Sequence, residues 1–134
     1  MKWFIHVINN YNVFGGRSRR SEYWYFTLVS TIISFATMFI DKLLGTEVHY
    51  TLATQPGMEP IVMDYGYINI VYGLFVFLPS LAVSVRRLHD VGKSGWTLFI
   101  NLIPILGWIY YIILLCRDSE PGDNQYGPNP KGID

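Results

Sequence analysis

Cysteine is all but missing: Cys116 stands alone among 134 residues. An internal disulfide framework and a cysteine-rich zinc site are therefore excluded. Charge is scarce too, at 15% of the chain, where ordinary soluble domains carry about 25%. Neither sign is in excess, because ten cations balance ten acids. With no basic surplus to neutralise a phosphate backbone, no nucleic-acid partner is expected. The three histidines, His6, His49 and His89, are too widely spaced for metal ligation. No G-x-S-x-G elbow, HExxH helix, phosphate loop or dinucleotide fingerprint occurs. Metal and cofactor are accordingly expected to be none, and no residue is assigned as catalytic. The opening MKWFIHVINNYNVF lacks a continuous apolar core followed by a small-residue cleavage site, so a removable signal peptide is not expected.

What the chain does have is apolar surface. Hydrophobic residues make up 51% of it and mean hydropathy is +0.26, a composition that points to a membrane protein. Three runs carry no charge. Residues 23–40 follow Ser21, a possible helix cap, and Glu22, which suits the positive end of a helix. About 18 helical residues span roughly 27 Å, near the thickness of the hydrocarbon layer. Residues 68–85 form a second run, with Pro79 as its expected kink. Ser30, Ser34, Ala36 and Thr37 in the first run, and Gly73, Ser80, Ala82 and Ser84 in the second, suit close helix contact. A third run, 96–116, has Asn101, Pro104 and Gly107 in its middle. One continuous kinked span is the preferred expectation there, and a hairpin that returns to its starting side is the alternative.

The segments between the runs are polar. Residues 41–67, holding Gly45, Pro56, Gly57 and Pro60, read as a solvent-exposed connection, in part strand-like. Residues 117–134 read as an aqueous tail rich in Gly, Pro, Asn and Asp. Ahead of the first run, Gly15 and Gly16 are expected to end what precedes them. There Trp3, Phe4, Val7, Ile8 and Tyr11 recur at helical spacing, giving a short amphipathic helix. Its stripe either lies on the membrane surface or packs on the protein's own helices. The expected fold is thus one integral membrane domain over 1–134, an all-α protein. It has three transmembrane helices, the third kinked or re-entrant, and an N-terminal amphipathic interfacial helix.

Lys2, Arg17, Arg19 and Arg20 precede the first run, and Arg86, Arg87 and Lys93 lie between the second and third. Two crossings put these seven of ten cations on one side, which the positive-inside rule assigns to the cytoplasm together with the N-terminus. The tail lies outside with three full spans and inside with a hairpin.

The densest polar stretch is RRLHDVGKSGW, Arg86 to Trp96. Arg86 and Asp90 are four apart and can meet on one helix face. Gly92 is expected to end the helix, Lys93 to face water, Ser94 to cap the next helix and Trp96 to sit at headgroup depth. A catalytic reading would make His89 a base oriented by Asp90, but neighbouring helical positions point about 100° apart, which suits a relay poorly.

Three blocks taken together, FGGRSRRSEYW (14–24), LPSLAVSVRRLHDVGKSGW (78–96) and GDNQYGPNP (122–130), resemble the YhaH-like family of bacterial inner-membrane proteins, domain of unknown function 805. The resemblance covers nearly the whole chain and implies a plasma-membrane location with helical spans. It implies no reaction, substrate or cofactor. Matching motif residues are Arg17, Arg20, Trp24, Arg86, Arg87, Leu88, His89, Asp90, Gly92, Ser94, Gly95 and Trp96, with Asn124, Tyr126, Gly127 and Pro128 in the tail. The first two blocks are expected to meet on the cytoplasmic face, Glu22 or Asp90 pairing with arginines of the other block. The expected function is a non-enzymatic membrane structural or interaction module, in contact with the lipid bilayer and with a second copy or another membrane protein. The alternatives are a small oligomeric transporter or channel, and a membrane enzyme using His89 and Asp90.

Overall fold

The computed structural model describes residues 1–52 and 55–133, leaving aside the side chain of Ile133. Residues 53 and 54 of the expected polar connection, and Asp134 of the expected tail, lie outside the described residues. In chain order the elements are α1 (Lys2–Asn9), α2 (Arg20–Leu44), β1 (Glu47–Leu52), β2 (Ile61–Gly66) and α3 (Tyr67–Asp90). A 3-10 helix (Gly95–Leu102), α4 (Leu106–Cys116) and a 3-10 turn (Pro130–Ile133) complete them.

Both long helices enclose an expected apolar run and extend past it into charged residues. At 25 and 24 residues, with a rise of about 1.5 Å each, they are long enough to cross a bilayer. Their side chains point the same way. Along α2, Leu28, Ile32, Phe35 and Phe39 are each more than half exposed and recur at helical spacing. Such a ridge suits hydrocarbon better than water. Ser21 lies inside α2 rather than capping it, and α1 stops at Asn9, ahead of the glycine pair. There the Asn10 side-chain amide donates to the His6 carbonyl.

The backbone falls into two compact units, Met1–Leu28 with Phe77–Asp134, and Val29–Val76. In the first, Val7 of α1 is fully buried against Phe26 and Val83, and Phe4 and Ile8 pack beside them. Phe4, Val7 and Ile8 of the stripe thus pack on the protein's own helices, the second of the two readings of α1, while Tyr11 stays 48% exposed.

The second unit corrects the all-α expectation. β1 and β2 pair antiparallel from Glu47 opposite Gly66 to Leu52 opposite Ile61. EVHYTL and IVMDYG are rich in β-branched and aromatic residues, which favour a pleated ladder. Below the hairpin, Asp41 closes the start of α3. Its carboxylate accepts from the Thr46 hydroxyl at 2.5 Å and from the Ile68 and Asn69 amides at 3.0 and 2.8 Å. Those two amides are donors that the first turn of a helix cannot satisfy by itself. Burial opposes ionisation of Asp41, yet these three bonds outweigh it and hold the carboxyl below its ordinary value. The Asn69 side-chain amide donates to the Ser34 carbonyl and hydroxyl and to the Thr37 hydroxyl, all within 3.0 Å.

A second correction concerns residues 96–116. The run is not one helix: the 3-10 segment ends at Leu102, and α4 begins at Leu106. Eleven residues of α-helix reach only about 16 Å, so α4 alone does not cross. Ile105, at φ 65 and ψ −68, is the centre of a γ-turn closed by the Leu106 amide on the Pro104 carbonyl at 2.8 Å, a strained reversal that a β-branched residue rarely adopts. Trp108 then donates its indole N–H to the Asn101 carbonyl, and Gly107 lies against the Ile100 carbonyl, where a Cβ would come within 1.9 Å. This is the hairpin alternative.

Candidate functional site

α3 carries its helical hydrogen bonding through Arg86, Arg87, Leu88, His89 and Asp90 before Gly92, at φ 76, ends it. Lys93 donates its amide back to the Leu88 carbonyl, and the Ser94 hydroxyl caps the following 3-10 helix by accepting from the Trp96 amide. Both punctuation residues act as their types require. The charged turn that results lies against residues 14–24 and against the tail, within the first unit.

Two ion pairs join the first block to the second. Glu22 accepts from Arg86 Nη1 at 3.1 Å, and Asp90 Oδ1 accepts from Arg17 Nε at 3.0 Å. Both pairs are buried, the second almost completely. Asp90 Oδ2 also accepts from Arg87 Nη1 and from the Ser119 hydroxyl. A carboxylate out of water needs this many donors to remain charged without a large penalty.

Arg17 is the centre of the arrangement. Its Nη1 donates to the carbonyls of Gly122 and Gly127, and its Nη2 to those of Asp90 and Glu120. With Nε on Asp90, all five N–H donors of the guanidinium are engaged. The partners come from the end of α3 and from three positions of the tail, so one side chain fastens the three sequence blocks together. Arg87, fully buried, also donates to the carbonyls of Leu115 and Arg117, and Arg20 donates to that of Cys116. These are the free carbonyls at the C-terminus of α4, where the helix dipole favours a cation. The end of α4 thereby returns to the charged turn from which the hairpin set out.

The tail is ordered against this cluster. Asn124 donates its side-chain amide to the His89 carbonyl and to Glu120. Tyr126 stacks on His89 with ring centroids 3.9 Å apart and planes 4° apart, while Gly127 supplies its carbonyl to Arg17. Of the tail motif, Pro128 makes none of these contacts. Trp24 and Trp96 lie outside the cluster as well: Trp24 meets Tyr23 edge-on, and Trp96 is 78% exposed and stacks on Phe99. Ser119, Glu120 and the carbonyls of Gly16, Gly122 and residues 115–117 had not been singled out. Ser119 was findable in principle, since a buried carboxylate between two blocks requires further donors. The carbonyls leave no trace in residue type.

His89 and Asp90 face different partners. His89 Nδ1 lies 3.0 Å from the Gly16 carbonyl, which accepts the ring N–H, while Asp90 is enclosed by two guanidinium groups and Ser119. No His–Asp hydrogen bond forms between them. Among the described residues, no group of three or more His, Cys, Asp or Glu is placed to hold a metal ion.

Two apolar helices joined to a buried ionic turn and an ordered tail describe a small helical membrane protein, and comparison makes the assignment specific. The family model described as "Protein of unknown function (DUF805)" matches residues 11–128, and the chain belongs to this family. It is 41% identical over 131 residues to Inner membrane protein YhaH of Escherichia coli strain K12, covering 98% of each chain. Inner membrane protein YhaI of the same strain is 35% identical over 131 residues, with 98% of this chain and 97% of the relative covered. No solved structure matches the chain. The location is thus the bacterial inner membrane, in a family without an established reaction.

Proposed function

We propose that this chain is a multi-pass inner-membrane interaction module whose N-terminus and tail both lie in the cytoplasm, and that it catalyses no reaction. It crosses the membrane through α2 and α3, and residues 95–116 dip in and return. The single observation that carries this reading is the saturation of Arg17. Every donor it has is spent on holding the first block, α3 and the tail together, and Asp90 and Arg87 are held by the same contacts, whereas Arg86 meets Glu22 through Nη1 with its Nε and Nη2 buried without a partner among the described residues. A site built for chemistry keeps a reactive group accessible to substrate; here Asp90 is sealed among its donors and His89 is turned to a backbone carbonyl. The seven cations of residues 2–20 and 86–93 supply the orientation. Partners of such a module are the lipid bilayer and either a second copy or another membrane protein. Within the apolar runs the hydrogen bonds of Asn69 to Ser34 and Thr37 support packing over transport.

Side-sensitive reporters fused before Met1 and after Asp134 test the topology. Both should report the cytoplasmic side. A periplasmic signal from the tail fusion alone would restore the third crossing and overturn the proposal.

A further inference from the structure

Beside the ionic turn lies a cavity of about 600 Å³, within the range of small-molecule sites. Its wall is mostly apolar, built from Phe14, Leu81, Val85, Trp96, Phe99 and Leu102. His89, Ser94 and Tyr126 supply the polar part. Among the described residues neither a cation nor an acid lines it, which disfavours a phospholipid headgroup or a fatty carboxylate, both of which need a fixed counter-charge.

The polar wall is specific in kind. With Nδ1–H committed to the Gly16 carbonyl, the imidazole presents Nε2 as a bare acceptor, and Nε2 has no partner among the described residues. Burial lowers the pKa of His89, against the pull of the Gly16 carbonyl, and so favours this neutral form. The remainder of the wall is aromatic. Two stacked pairs contribute to it, His89 on Tyr126 and Trp96 on Phe99, the latter with centroids 5.6 Å apart. Flat rings of this sort are matched by a flat ring in the ligand.

We infer that this cavity binds an uncharged, membrane-soluble phenol, a hydroxylated aromatic ring on an apolar tail. The ring enters among Phe14, Trp96 and Phe99, its O–H donates to His89 Nε2, and the tail leaves past Leu102, which is 78% exposed. The inference rests on the membrane reading above, which brings such a molecule to the cavity mouth.

The test uses the full chain in phospholipid nanodiscs and three photoreactive probes of equal chain length: an alkylphenol, its methyl ether and an alkyl carboxylate. Labelling is located by peptide mass spectrometry. The phenol should label residues 78–102 about fivefold more than the ether, the increment of one net hydrogen bond, and the carboxylate should fall below both. Leu98 also lines the cavity, and Leu98→Trp, which fills it, should remove that labelling. His89→Phe, which keeps a ring under Tyr126, should bring the phenol down to the ether. Equal labelling by phenol and ether in the wild type overturns the inference, as does labelling that survives Leu98→Trp. Dominant labelling by the carboxylate, or probe-independent crosslinks through Trp96 to a second copy, overturns it too. If His89→Phe does not fold, the wild-type comparison and Leu98→Trp decide. Failure here leaves the reporter fusions unaffected, so the two proposals fall separately.

Discussion

Replacing Asp90 by Asn tests the ionic turn with the smallest change of shape. The amide keeps the volume of the carboxylate and loses its charge, leaving Arg17 and Arg87 as two buried cations with no acid between them. Breaking a buried pair from one side costs about 3–5 kcal/mol. Arg17 retains four carbonyl acceptors and Arg87 two, so both cations stay partly solvated by the backbone. The lower end, about 3 kcal/mol, is therefore expected. At about 1.4 kcal/mol per tenfold, the contacts of this turn should open on the order of a hundredfold more often. Amide hydrogen exchange in detergent reads this directly. The Glu120 amide donates to the Asp90 carbonyl and the Ser18 amide to that of Arg86, and both should lose protection by that factor. Amides of the hairpin β1–β2 should keep theirs. If Glu120 protection in Asp90→Asn stays within about threefold of the wild type, the turn contributes little to holding the tail and the reasoning is wrong.

Two further outcomes follow from separate places in the fold. Gly107→Ala drives a methyl into the Ile100 carbonyl and should lower stability by about 1–3 kcal/mol, whereas Gly73→Ala, with nothing within 4 Å of its new Cβ, should cost none; thermal midpoints of the two variants in one detergent make the comparison. His49 donates to Asp64 across the hairpin at 2.6 Å, and that hydrogen bond, reinforced by the Asp64 charge, raises its pKa above the ordinary 6.5. The stabilisation is fully present below the unfolded value and disappears as pH rises through the folded one. An NMR titration should place the His49 midpoint higher in the wild type than in Asp64→Asn; coincident midpoints would refute the pairing.

The two long helices were legible because a run of about 18 residues without a charge has few other fates. Gly92 and Ser94 were legible because their residue types carry backbone consequences. The cross-block pairs followed from scarcity: in a chain with few charges, an acid and arginines at one helix boundary have little choice of partner. The third run was misjudged because its reversal depends on Ile105 adopting a backbone that its type disfavours, and on contacts across the turn at Gly107. Neither appears in hydropathy. The hairpin β1–β2 was half-seen, since its strands are short and sit among turn residues. At the candidate site, acids and arginines were readable and their carbonyl acceptors were not, because any residue except through its neighbours offers the same oxygen.

The carbonyls that Arg17 engages belong to residues 90, 120, 122 and 127, and synthesis delivers them in that order. In a chain that stops short of residue 120, Arg17 has only Asp90 to meet. Closure waits for the segment around Glu120 to Gly127 to emerge, so a nascent or truncated chain leaves the Arg17 guanidinium unsatisfied. The last of these carbonyls to be made thus completes the shell of a side chain laid down 110 positions earlier, and the tail is the closing piece of the first block.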